Sequence, residues 1–131
     1  MAKDTKLEKI HPFFVVDDLA ASIDFYTQKL GFEMDLLIPE EDPFFAIVSR
    51  DNVRILLKHI AEDIHPVPNH TRHEWARWDA FILVSDPDAL FAEFESRGLA
   101  FHEPLADTDD GLRAFELKDY DGYVLCFGKP L

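Results

Sequence analysis

Residues 109–127 read DDGLRAFELKDYDGYVLCF, and this stretch decides the fold. Within it, residues 113–118 alternate: Phe115 and Leu117 point to one face, Ala114 and Glu116 to the other. Residues 123–127 alternate again, with Tyr123, Leu125 and Phe127 opposed by Val124 and Cys126. Between the two runs, Asp119-Tyr120-Asp121-Gly122 ends in Asp-Gly, a pair that tolerates the positive φ of a hairpin turn. Such a hairpin is apolar on both faces and needs cover on both. Helices suit one face; an enclosed cavity or a partner suits the other.

Upstream of the hairpin, residues 79–84 (DAFILV) read as a strand. Asp86 then offers a helix N-cap with Pro87 at the first helical position. Leu90, Phe91 and Phe94 form the apolar stripe, and Gly98 stops the helix. Residues 99–102 follow as a short strand and 103–111 as a loop, which completes β-α-β-β-β. The first half carries the same order. Residues 10–16 (IHPFFVV) form a strand, with Pro12 at its start or on an unpaired edge. Asp17 and Asp18 precede a helix marked by Leu19, Ile23, Tyr26 and Leu30 and closed by Gly31. Residues 32–38 form a strand, and residues 44–49 and 53–58 a hairpin. The halves align by hand: Phe13, Val16, Asp18 and Ala21 match Phe81, Val84, Asp86 and Ala89 at constant offset. This is an internal duplication. Residues 8–58 form the first module, 76–128 the second, and 59–75 a connector with two prolines and four histidines.

The totals set bounds. A chain of 131 residues, 47% hydrophobic and with 12 Phe, is long enough for one domain with a real core. No apolar run reaches the roughly 20 residues of a membrane span, and MAKDTKLEKI lacks the apolar core of a secretory signal. One Cys excludes an internal disulfide framework and agrees with a reducing, cytoplasmic setting. The formal net charge of −13 repels phosphate backbones and anionic membranes and attracts cations. There is no Gly-rich phosphate loop and no serine elbow. The histidines His59, His65, His70 and His73 fit no standard metal spacing and read as solvated or capping groups.

Three segments resemble the vicinal oxygen chelate superfamily, which groups glyoxalases, bleomycin-resistance proteins and extradiol dioxygenases. They are VVDDLAASIDFYTQKLGFE, its repeat LVSDPDALFAEFESRGL, and FELKDYDGYVLCF, which is similar to the family's DPDGN turn with Tyr120 for Pro and Tyr123 for Asn. The resemblance implies an α+β fold. Two tandem βαβββ modules would form a curved, half-open eight-stranded sheet, a cup with helices on its convex side, and usually a homodimer. It also implies that metal-dependent members place their ligands at positions matching His11, Leu56, Asp79 and Cys126. Leu56 has no donor, and the other three mix hard and soft groups, so no metal ligands and no cofactor are assigned.

If those positions face inward, alternation places Phe13 beside His11, Phe81 beside Asp79, and Arg54 beside Leu56. Glu116 joins from the hairpin as a candidate acid or base, or as a solvated strand carboxylate. Trp75 and Trp78, in HEWARWD, form a stacking platform at the mouth or close the core or a dimer interface. The candidate ligand-binding set is therefore His11, Phe13, Arg54, Leu56, Trp78, Asp79, Phe81, Glu116 and Cys126. It implies a protein similar to the bleomycin-resistance branch, holding a small, partly aromatic or cationic organic molecule in an apolar cup without a catalytic metal. The alternative is a divalent-metal-dependent lyase, isomerase or dioxygenase of the same superfamily. Nucleic acid and membranes are not expected partners.

Overall fold

The computed structural model describes residues 4–131, so the first three residues of the expected 1–131 domain lie outside it. The first module runs β1 (Phe13–Val15), α1 (Leu19–Asp24) with a following π-helical turn (Phe25–Lys29), β2 (Glu33–Ile38), β3 (Phe45–Arg50) and β4 (Val53–Lys58). A single 3₁₀ turn (Asn69–Thr71) interrupts the connector. The second module runs β5 (Ala80–Leu83), α2 (Pro87–Ser96), β6 (Glu103–Asp107), β7 (Leu112–Lys118) and β8 (Val124–Pro130). The two units share one topology. Strand order is β1-β4-β3-β2 in one sheet and β5-β8-β7-β6 in the other, with the first strand of each parallel to the last. The α+β fold of tandem βαβββ modules is thus present. Its eight strands are hydrogen-bonded as two separate four-stranded sheets, and neither is closed.

Alternation explains where the core lies. On the first sheet, Phe14, Val16, Ala46, Val48, Ile55 and Leu57 all point under α1 and are buried. On the second, Phe115, Leu117, Leu125 and Phe127 do the same under α2. Phe115 and Phe127 are direct cross-strand partners stacked at 5.2 Å, and Phe94 of α2 meets both edge-on at 6.0 and 5.5 Å. These residues join into one continuous cluster spanning both modules. Asp18 and Asp86 cap the helices as expected, accepting from the N–H groups of Ala21 and Ala89 at 3.0 and 3.1 Å.

Three boundaries differ from the sequence reading. The strand expected over 10–16 is only Phe13–Val15. Pro12 has no N–H to extend the ladder, although its carbonyl still accepts from Leu56, and β1 lies on a sheet edge. His11 therefore precedes the strand. The strand expected over 99–102 lies instead at Glu103–Asp107, inside the expected loop. Apolar Leu99 and Phe101 mimic a strand but pack on the core, Phe101 stacking on Phe91 at 4.3 Å. The polar run EPLAD makes the ladder, as an exposed edge strand needs only backbone pairing. Finally, the first helix widens into a π-turn at Phe25–Lys29, where the buried Tyr26 turns toward the second module.

Two seams join the modules, and each uses a hairpin turn of one and the helical segment of the other. At the first, Tyr26 donates its hydroxyl to Asp119 Oδ2 (2.6 Å) and Ser22 donates to Asp121 Oδ2 (2.6 Å). The Asp17 N–H donates to Asp121 Oδ1, Tyr123 donates its hydroxyl to the Val15 carbonyl, and its ring stacks on Phe14 at 4.2 Å. At the second, Arg50 at the end of β3 grips Glu93 of α2 through two 2.8 Å bonds and also reaches the Leu30 carbonyl.

Candidate functional site

The face of the second sheet away from α2 carries the site. Register aligns Phe81 with Cys126 and Cys126 with Glu116, so these three side chains form a row across β5, β8 and β7. The segment between β4 and β5 folds over the row. Trp78 donates its indole N–H to Glu116 Oε2 (2.9 Å), and Arg77 donates to the same oxygen (3.2 Å). His102 Nε2 stands 4.0 Å from the other oxygen. Glu116 is left only 5% exposed, a carboxylate taken out of water and compensated by charge and hydrogen bonds. The Trp78 ring lies 5.5 Å from Phe81, and the Arg77 guanidinium lies over it at 5.1 Å.

These groups bound a cavity of about 500 Å³ whose wall includes Trp78, Arg77, Glu116, Cys126, His70 and His102. Four more carboxylates, Glu74, Glu103, Asp109 and Asp110, stand around it. The lining is therefore acidic and aromatic rather than the apolar cup expected from alternation. Alternation places Glu116 but not the other charges: Glu74 and Arg77 come from the segment before β5, Glu103 from the edge strand β6, and Asp109 and Asp110 from the loop before β7.

The family model for the glyoxalase/bleomycin resistance protein/dioxygenase superfamily matches residues 9–127. The chain belongs to this superfamily. No curated protein matches the sequence significantly. Among solved structures, the superfamily fold is shared with TioX from Micromonospora sp. ML1 at TM-score 0.73 and 20% identity, over 95% of this chain and 99% of that one. It is shared with TnmS3, an antibiotic binding protein from Streptomyces sp. CB03234, at TM-score 0.69 and 20% identity, over 97% and 100%. The bleomycin-binding protein from Streptomyces verticillus, complexed with copper(II)-bleomycin, is similar at TM-score 0.70 and 25% identity, over 97% and 99%.

The metal that some superfamily members use does not fit the donors present. Leu56 is a hydrocarbon. Both oxygens of Asp79 are committed, accepting from the Asn69 N–H (2.9 Å) and the Val124 N–H (2.8 Å). Burial, with the Glu116 carboxylate adding to it, pushes the Cys126 thiol up to about 12, so it rests as a neutral thiol. His11 alone keeps a buried, unpartnered Nδ1. Among the described residues no three His, Cys, Asp or Glu side chains gather as a metal group. The connector histidines are dispersed: His65 bonds Asp17 (2.7 Å), His70 the Gly122 carbonyl (3.0 Å), His59 the Val16 carbonyl (3.3 Å) and His73 the Trp75 N–H (3.1 Å).

The candidate ligand-binding residues divide between the two sheets. Trp78, Glu116 and Cys126 line the cavity; Phe81 lies on the same face, and Asp79 ties the connector to β8. Phe13, Leu56 and Arg54 lie on the open face of the first sheet, where Phe13 and Leu56 are register partners, with His11 just upstream. There, Phe13, Leu56, Ile47 and Leu36 form a continuous apolar row across all four strands. Trp75 is 83% exposed, leaning on His73. Arg77 and His102 were not nominated. In HEWARWD the Arg between two tryptophans is the signal that points to Arg77.

Proposed function

We propose that this chain binds a small organic molecule with a flat aromatic part and a cationic group, in the cavity of the second sheet, without a catalytic metal. The observation that carries the reading is Trp78 bonded to the buried Glu116. Together they offer a stacking surface and a fixed negative charge facing one space. The surrounding carboxylates and the net charge of −13 favour a cation further. The antibiotic-binding proteins that share the fold support the ligand class. The reading extends to a homodimer in the cytoplasm. Titration of the protein with metal-free bleomycin and with benzamidine, followed by tryptophan fluorescence and calorimetry, tests it. Saturable binding that Trp78→Leu weakens at least tenfold is expected; the absence of saturation with every aromatic cation tried would defeat the reading.

A second reading rests on His11, whose unpartnered ring nitrogen marks the first-strand position that metal-dependent relatives use. It makes the protein a divalent-metal lyase, isomerase or dioxygenase. Dialysis against Mn²⁺, Fe²⁺, Zn²⁺ or Ni²⁺, followed by elemental analysis of wild type and His11→Ala, separates the two. A stoichiometric ion lost with His11 would favour the enzyme.

A further inference from the structure

Arg77 already makes the contacts that the cavity offers to a flat cation. Its guanidinium lies over the Trp78 ring at 5.1 Å, donates to Glu116 at 3.2 Å and reaches Asp110 at 3.6 Å. Among the described residues it is the sole Lys or Arg in the cavity wall. We propose that Arg77 is a resident cation which a cationic ligand must displace, and which therefore sets the charge selectivity of the cavity. This rests on the binding reading above and names the residue that tunes it.

Two observations make Arg77 displaceable. Its side chain is 48% exposed and sits on the segment leading into β5 rather than on a strand. Its pair with Asp110, at 3.6 Å between two half-exposed groups, is weak, and its pair with the buried Glu116, at 3.2 Å, is one that an incoming cation can replace in kind. Glu116 does not depend on it alone, because the 2.9 Å bond from Trp78 remains when Arg77 swings away. An incoming amidinium would then take over both the ring and the carboxylate. A neutral aromatic ligand could take over only the ring and not the pairing with Glu116, so it does not offset the contacts Arg77 would lose and leaves Arg77 in place.

Calorimetry with benzamidine and its neutral counterpart benzamide tests this. Arg77→Gln should tighten benzamidinium binding about tenfold and leave benzamide within about twofold. Arg72→Gln removes the same charge from an exposed connector position outside the cavity wall and should alter neither by more than about twofold. Unchanged or weaker benzamidinium binding in Arg77→Gln, with wild type still binding, overturns the role of Arg77 and leaves the cavity reading intact. If wild type and Arg77→Gln bind neither probe, both fall. Should Arg77→Gln not fold, Arg77→Lys carries the test: its ammonium lacks the planar fit over the indole, and a gain of about threefold is expected. No gain in that variant would refute the proposal. In the NMR spectrum of wild type, saturating benzamidinium should shift the Arg77 Nε–H resonance, and benzamide should not; a purely structural arginine would respond to neither.

Discussion

Asp119 places a carboxylate in the first seam, where it accepts from the Tyr26 hydroxyl and from the N–H groups of Asp121 and Tyr123. Burial raises its pKa from 3.8 to about 7, with the nearby Asp121 adding to the rise; burial moves Asp121 in the same direction. The folded chain therefore holds protons that the unfolded chain releases. The contribution of these two carboxyls to stability is fully present below the ordinary carboxylate range and is lost as pH rises from about 4 to about 7, by up to about 1.4 kcal/mol per pH unit for one such group. Thermal melts at pH 5, 6, 7 and 8 should show this slope, and Asp119→Asn, which keeps the shape, should flatten it. A wild type more stable at pH 8 than at pH 5 would contradict the assignment. Strand phase in the sequence put Glu116 on the face opposite Phe115. Its burial was not legible, since the donors that cover it lie 38 and 39 residues upstream on a segment without periodicity.

At the scale of elements, Gly128 of β8 leaves no room for a side chain against β7. A Cβ there would come within 2.6 Å of the Ala114 Cβ and 2.8 Å of the Arg113 carbonyl, and neither can retreat from a paired ladder. Gly128→Ala should cost about 1–3 kcal/mol in urea unfolding. The grip of Arg50 on Glu93 is bidentate and about two-thirds covered, so Arg50→Gln or Glu93→Gln should each cost about 1 kcal/mol. The double substitution should cost less than the sum if they act as one pair, which a double-mutant cycle measures. The helices were legible from caps and stripes, and the hairpins from alternation and Asp-Gly. β6 was not, because an exposed edge strand has no buried face to impose a period, while Leu99 and Phe101 beside it packed on the core without pairing.

For the whole molecule, duplication was the legible fact: the matched positions gave two modules of one topology. How the modules face each other was not legible, because the seam partners are polar pairs up to 108 residues apart in the chain. The open face of the first sheet leaves Phe13, Leu36 and Ile38 each about half exposed. On that ground a homodimer is predicted, with sedimentation of a species near twice 15.1 kDa at micromolar concentration. Leu36→Glu should return it to the single-chain mass, and a wild type already at that mass would refute the prediction. Nothing in the two seams ties a module to its own chain. Every bond across them joins one module to the other, so a module donated by a neighbouring molecule would satisfy each of them equally well. Only the span between β4 and β5 decides whether the chain folds back on itself or reaches into its neighbour. Deleting residues 61–66 should leave too little slack to turn back, and such a variant should purify as interlocked pairs that separate only on unfolding.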